Sequence, residues 1–497
     1  MTQRVAIATN CSGYPVHPPY PPGDAYPECQ PFGAPRNGSS NDAYGAVRLA
    51  LQLLGLDERH AGGPDWNPLR RIVHPGDTVV LKPNFVRNFR ENSPDHADCL
   101  ITHGSVIRAV LDYVYLALDG RGRIIIADAP HNDADFEAIR TIAGLAEICE
   151  DYRRHRKFEL EVYDLRPEQA HKIDGIIVGH SPLPGDPAGY VRVNLGRRSA
   201  FADINHLCHL LYGAEYDTKE LYSHQHDDVH EYLISKTVLD ADVVISIPKL
   251  KTHKKVGLTV NMKNLVGING NKNWLPHHRE GTPAQGGDQF RHNGFMQRLE
   301  RAGVMQFKRL FPLLGPIRSL VAGPIKAVGK RVFGDTDKDT IRSGNWYGND
   351  TTWRMALDLN RILMYTDADG VIQTKPQRKL LNLVDGIVAG EGNGPMDATP
   401  KEAGAIVAGF NPVAVELVCA RLMGFDYLKI PMLCNALDTD RALRLVGFGY
   451  DEIECLSDRE DYQGVLKEFR GECFGFEAHF GWKGHIELTR RHGGTEI

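Results

Sequence analysis

Short apolar runs rich in Val and Ile recur along this chain, and segments of helical period separate several of them. "RVAIATN" (4–10), "GDTVVLKPNFV" (76–86), "RIIIADAP" (123–130), "FELEVYDL" (158–165) and "VLDADVVISIPKL" (238–250) read as strands. "NDAYGAVRLALQLLGL" (41–56) and "HGSVIRAVLDYVYLAL" (103–118) read as helices, the first capped by Asn41 or Asp42. Strands that are apolar without alternation need both faces covered. The pattern therefore predicts an α/β fold, a mostly parallel sheet covered by helices. Residues 14–42, rich in Pro, Gly and Asn, read as a surface loop. "LLNLVDGIVAGEGNGP" (380–395) reads as a later strand. "NPVAVELVCARLMGF" (411–425) reads as a helix with Asn411 at the N-cap and Pro412 at its first position. A small C-terminal extension ends in "FEAHFGWKGHIEL" (476–488), expected as an edge strand pair. The expected division is an N-terminal α/β domain (1–267), an insertion or loop region (268–345), and a C-terminal α/β part completing the site (346–497).

With 497 residues and 42% hydrophobic content, the chain can build a full core. Its 58 Lys and Arg stand against 63 Asp and Glu, a formal charge of −5, so no nucleic-acid partner is expected from whole-chain charge. Nine widely spaced cysteines include no C-x-x-C pair, which disfavours disulfide frameworks, zinc ribbons and ferredoxin-type clusters. The start lacks the apolar core of a signal peptide, and no run of about 18 apolar residues occurs. A cytoplasmic protein is expected. One segment, 307–334, interleaves apolar residues with six basic ones and no acid. Its simpler reading is a basic amphipathic insertion packed on the body. Its sharper reading is contact with a membrane surface, at the inner membrane face, or with a polyanion.

Ligands of parallel sheets bind beyond the carboxyl ends of the strands. Here those ends carry Lys82 and Asn84, Asp128 and His131, and then Lys249, Lys251 and His253. The stretch 245–274 holds six lysines, five asparagines and no acid, interleaved with apolar residues. Partly buried lysines call for anionic partners, and glycines let backbone amides approach an anion. An anion site is expected from Lys82, Asn84, Lys249, Lys263, Asn264 and Gly267, with Gly392 and Asn393 from the glycine-rich turn after Asp385. His253, Lys251 and Asp385 are the catalytic candidates, His253 as acid–base group. Arg354 either grips an anion or pairs with Asp350 or Asp358; Asp350 reads as the cap of the helix that carries it. His226 and His230, four apart on an expected helix, are metal candidates, as are Asp128 and His131. The sequence identifies no cofactor; a divalent metal is the candidate. His277 and His278 fall in an expected flexible loop able to close over a substrate. Walker A, G-x-G-x-x-G and G-x-S-x-G patterns are absent.

Taken in order, "GDTVVLKPNFV", "ITHGSVIRAVLDYV", "IIIADAP", "LDADVVISIPKLKTHKKVGLTVNMKNLVGI", "LVDGIVAGEGNGPM" and "NPVAVELVCARLMGF" resemble the domain of unknown function 362 family over about residues 74–425. The resemblance implies an α/β domain and little chemistry. Many members carry an iron–sulfur module, which the dispersed cysteines here do not match. The strand–K-x-K-T-H–glycine layout also resembles the lactate racemase family, where lysines and histidines surround a nickel cofactor. The expected function is an enzyme acting on a small phosphorylated or carboxylated substrate, in cell-envelope polysaccharide metabolism on one reading. The alternatives are a non-catalytic ligand-binding or membrane-surface scaffold, and a racemase or epimerase. Reaction class and oligomeric state are not read from the sequence.

Overall fold

A computed structural model describes residues 3–32, 41–90, 98–173, 176–213, 218–292, 294, 340–438 and 443–488. Its centre is an eleven-stranded sheet. In chain order the strands are β1 (Gln3–Ala8), β2 (Thr78–Pro83), β3 (Arg123–Asp128), β4 (Glu161–Asp164), β5 (Val243–Ile247), β6 (Lys249–His253), β7 (Gly257–Thr259), β8 (Lys379–Asn393), β9 (Asp397–Gly409), β10 (Ile453–Ser457) and β11 (Gly464–Val465). The spatial order is β11-β10-β1-β9-β8-β5-β2-β3-β4, with β6 pairing β8 and β7. The run β8-β5-β2-β3-β4 is parallel throughout. The β8–β9 hairpin and the β1–β9 pair are antiparallel, so the sheet is mostly rather than wholly parallel. Residues from both the 1–267 and 346–497 stretches contribute strands to this one sheet.

Both faces are buried, as continuous apolar strands require. Val79, Leu81, Ile124, Ile126, Val243 and Ile245 point into a core shared with α1 (Asp42–Leu53), α2 (Gly104–Leu118) and α3 (Leu145–Arg156). Val80, Ile125 and Val244 point the other way, against α5 (Thr352–Tyr365); a neighbouring core packs α6 (Pro412–Met423) on Val5, Ile7 and Val407. The short helix α4 (Asn261–Asn264) follows β7 and touches α5 and α6.

Local details depart from the sequence reading in three places. Residues 476–488 form turns with a single bridge, Phe425 to Glu487, rather than a strand pair. The segment around His277 is packed rather than loose. His278–Arg279 pairs with Leu211–Tyr212, and buried Asp288 accepts from Arg279 N at 2.7 Å and from Thr351 Oγ1 at 2.5 Å. At α5, Asn349 Oδ1 rather than Asp350 receives the free amides, from Thr351 N and Thr352 N. Segment 307–334 lies outside the described residues. Among those described, no helix is long and apolar enough to cross a membrane.

Asn41 does cap α1, accepting from Tyr44 N at 3.1 Å. Its amide also donates to Tyr20 O and Pro21 O, which ties the 14–42 segment to the helix start. Asn41→Ala removes all three bonds at a buried position, so denaturant unfolding should show a loss of about 2 kcal/mol, the upper end for a cap.

Candidate functional site

Parallel pairing brings the ends of β5, β2 and β3 to one edge, with Ser246 opposite Lys82 and Leu81 opposite Ile126. Beyond that edge lies a cavity of about 490 Å³. Its wall includes Asn84, Asp128, His131, Lys251, His253, Lys263, Asn264 and Gly267, all from the expected set. The other candidates lie elsewhere, each for a definable reason.

Lys82 is wholly buried just behind the wall, paired with Asp128 at 2.8 Å and donating to Pro83 O at 2.7 Å. Asp128 also accepts from Phe85 N at 2.7 Å. Gly267 lies directly over this pair: a Cβ there would sit 1.8 Å from Asp128 Oδ1 and 2.7 Å from Lys82 Nζ. Glycine is needed for close approach, and its carbonyl accepts from Ala129 N at 2.8 Å.

Lys249 and Lys251 would share a face on a regular strand. The register of β6 against β8 shifts between the pairs Lys249–Asp385 and Lys251–Gly390, and such an irregularity re-aims side chains. Lys249 Nζ binds Asp385 at 2.7 Å and donates to Tyr14 OH at 2.8 Å. Asp385 further accepts from Tyr14 OH and from His103 N at 2.9 Å, and the Tyr14 and His103 rings stack at 4.0 Å. Asp385 and Lys249 thus form a buried strut fastening the N-terminal segment to the sheet; neither lines the cavity. Lys251 Nζ instead reaches Leu100 O and, at 3.3 Å, Asn84 Oδ1.

Arg354 is also structural, paired with Asp203 at 2.5 Å and Asp350 at 3.1 Å, outside the cavity. Gly392 and Asn393 end β8, paired with Ala398 and Asp397 of β9, and the turn between them lends the wall Pro395 and Met396 instead. The metal expectation is not supported by the donor geometry. His226 and His230 sit on adjacent strands of a three-stranded antiparallel sheet, not on a helix. His230 engages Gln225 and Asn205 through its two nitrogens, while His131 pairs with Asp133 at 2.5 Å. Among the described residues no group of three or more His, Cys, Asp or Glu is arranged to hold an ion.

The wall also contains Arg87, Lys172, Lys254, Lys255, Lys272 and Arg342, none of them in the expected set, and His277, expected only as part of a loop over the substrate. Lys254, Lys255 and Lys272 fall in the basic stretch, so their signal was present. Arg87 and Lys172 carry no local signal; Asp133 collects them, at 2.6 and 3.2 Å. Burial lowers Lys251, Lys255, Lys263 and Lys272 from the usual 10.5 to about 7, and for Lys251, Lys255 and Lys272 neighbouring positive charges add to the effect. Three of these amines are held by backbone carbonyls: Lys251 by Leu100, Lys255 by His277 and Ser343, Lys272 by Val266 and Asn269. Among the described residues Lys263 Nζ has no hydrogen-bond acceptor and no counter-ion.

The two cavity imidazoles hold opposite tautomers. His253 Nδ1 accepts from Lys255 N at 3.0 Å, which leaves the ring proton on Nε2. His277 Nδ1 faces Leu275 O at 2.8 Å and must donate, which leaves Nε2 an acceptor. Burial holds both rings well below the usual 6.5, and Lys263 is the charge that most opposes protonation of each.

Glu416 on α6 supports the segment carrying Lys263. Its carboxyl accepts from Met262 N at 2.8 Å, and burial raises it from 4.5 to about 8. A group raised in the folded state contributes stability below its unfolded value that is lost as pH climbs through the folded one. The unfolding free energy of wild type should therefore fall relative to Glu416→Gln between about pH 4.5 and about pH 8, with the lysine contributions cancelling in the difference. Asp128→Asn, which strands Lys82, should cost about 3–5 kcal/mol in denaturant unfolding, and adding Lys82→Met should recover most of the loss.

Comparison with known proteins gives one family and distant relatives. A thylakoid-associated protein of the cyanobacterium Synechocystis sp. is 24% identical over 274 residues, which cover 54% of this chain. The chain spans about 60% of that relative's length. The crystal structure of a protein from Thermotoga maritima aligns with 76% of this chain and 58% of its own at 11% identity, with a TM-score of 0.29. The model described as "Domain of unknown function (DUF362)" matches residues 79–175 and 168–421. That match includes β2 to β7, α4 and every cavity-lining residue named above, and the chain belongs to this family.

Proposed function

We propose that the cavity binds a small anionic molecule, carboxylated or phosphorylated, and that the protein is an enzyme acting on it. One observation carries the reading. The wall presents six lysines and two arginines against two aspartates, and both aspartates are already engaged, Asp128 by Lys82 and Asp133 by Arg87, Lys172 and His131. Buried ammonium groups at such density call for an anion. A volume of about 490 Å³ is that of a site for a small molecule. A phosphorylated or carboxylated sugar of the kind used in cell-envelope polysaccharide metabolism is of suitable size. Nine cysteines that form no disulfide suit a reducing compartment such as the cytoplasm. Membrane-surface contact rests on 307–334 alone, and with it the scaffold alternative.

Catalysis is assigned to the imidazoles. His253 offers an Nε2–H and His277 an Nε2 lone pair, a donor and an acceptor in one cavity. The same pair favours a second reading, isomerisation by proton transfer beside a carboxylate, as in a racemase. In both readings His253 keeps its expected role and Asp385 has none.

Oxalate tests the anion site because its charge is constant between about pH 6 and about pH 9. Lysines near 7 carry charge below that value and lose it above. Calorimetric titration should show binding at low pH that weakens as pH rises through about 7 and as salt increases, with proton uptake on binding near pH 7. Binding that is absent, or that is indifferent to pH and salt, would remove the anion site.

A further inference from the structure

Three buried lysines and the half-buried Lys255 face the cavity, and among the described residues only one of these four is without a partner. Lys251, Lys255 and Lys272 each hold backbone carbonyls. Lys263 lines the same cavity, is only 8% exposed, and has neither acceptor nor counter-ion among the described residues. An ammonium group left so is costly, whereas a neutral amine in the same place is not, and its lone pair is then open to the cavity. Resting on the anion-site reading above, we infer that Lys263 is a nucleophilic amine that condenses with the carbonyl carbon of a small oxo-acid whose carboxylate the neighbouring lysines hold.

The residues lining the cavity supply each part of that step. Lys263 Nζ attacks the carbonyl carbon, a C–N bond forms, and one of the two nitrogen protons passes by way of the free Nε2 of His277 to the oxygen, giving a neutral carbinolamine. The remaining nitrogen proton passes by the same ring to the hydroxyl, which leaves as water, while the Nε2–H of His253 hydrogen-bonds that oxygen and both rings end neutral. The product is an imine and one water, with no oxidant or reductant consumed. Both rings are neutral in the tautomers required, and both line the same cavity as Lys263. A lysine lowered to about 7 by burial has a substantial neutral fraction near pH 7, as the attack demands. Glu416 holds this lysine's helix through Met262 N, so the amine sits on an anchored element rather than a free loop.

The test uses the full chain, pyruvate as the carbonyl probe and borohydride to reduce any imine, read by mass spectrometry. The expected result is one adduct per chain, located on Lys263, suppressed by excess oxalate and lost in Lys263→Met. That variant should keep a cooperative melt at an equal or higher temperature, because it removes a buried amine with no partner. If oxalate binds but pyruvate and borohydride leave Lys263 unmodified, or mark exposed lysines equally in wild type and variant, the inference falls and the anion site stands. If oxalate does not bind and no adduct forms, both fall. A Lys263→Met chain that no longer melts cooperatively would show Lys263 to be structural and would also overturn the inference.

Discussion

An ammonium group withdrawn from water needs an anion, or at least several carbonyls, to offset several kcal/mol of lost hydration. This chain withdraws six lysine side chains around the carboxyl ends of a parallel sheet, and much of the surrounding structure is arranged to meet that cost. Lys82 has Asp128, and Lys249 has Asp385. Lys251, Lys255 and Lys272 have carbonyls from Leu100, His277, Val266 and Asn269. Packing details follow from these pairings. Gly267 has no side chain because Asp128 and Lys82 occupy the space one would need. Tyr14 is drawn across to the sheet because Asp385 and Lys249 together offer it an acceptor and a donor.

The sheet has a second consequence. Three parallel strands ending together place Asn84, Asp128 and the start of β6 at one edge, and β6 with β7 then turns the chain back over it. The return brings Asn264 of α4 against Lys82 on β2 and Gly267 against Ala129 just past β3, which closes the cavity on the side where open α/β sheets bind ligands. His277 arrives from a segment that is itself pinned by Asp288, Arg279 and Thr351. The two imidazoles therefore occupy set positions with tautomers dictated by backbone partners, Lys255 N for one and Leu275 O for the other. Preorganised donors and acceptors of this kind suit proton transfer better than a loop that must fold over its substrate.

Much of this was legible in the residues. Apolar runs buried on both faces announced the parallel sheet, Asn41 and Asn411 announced their helix starts, and lysines inside a half-apolar stretch announced buried positive charge. Other features left no local mark. The His226–His230 spacing matches a helix face, but the chain there forms a ribbon whose pairing decides the period. Arg354 reads first as a partner of Asp350 or Asp358 and also as an anion clamp, whereas Asp203, distant in sequence, is a partner that no local reading offers.

The sequence by itself determined the fold class, the edge of the sheet where polar side chains gather, and the sign of the charge buried there. Those depend on apolar periodicity and on residue type at strand ends, which are local properties. Only the tertiary structure decided which cations face the cavity and which are consumed as struts. Lys249 and Lys251 stand two apart with the same local chemistry, yet a register shift against β8 sends one to Asp385 and the other to the cavity wall. Partner choice for a buried charge depends on which carboxylate or carbonyl the fold carries within hydrogen-bond reach. For Lys249 and Lys251 those groups, on Asp385, Leu100 and Asn84, come from residues more than a hundred positions away, which no reading of neighbouring residues contains.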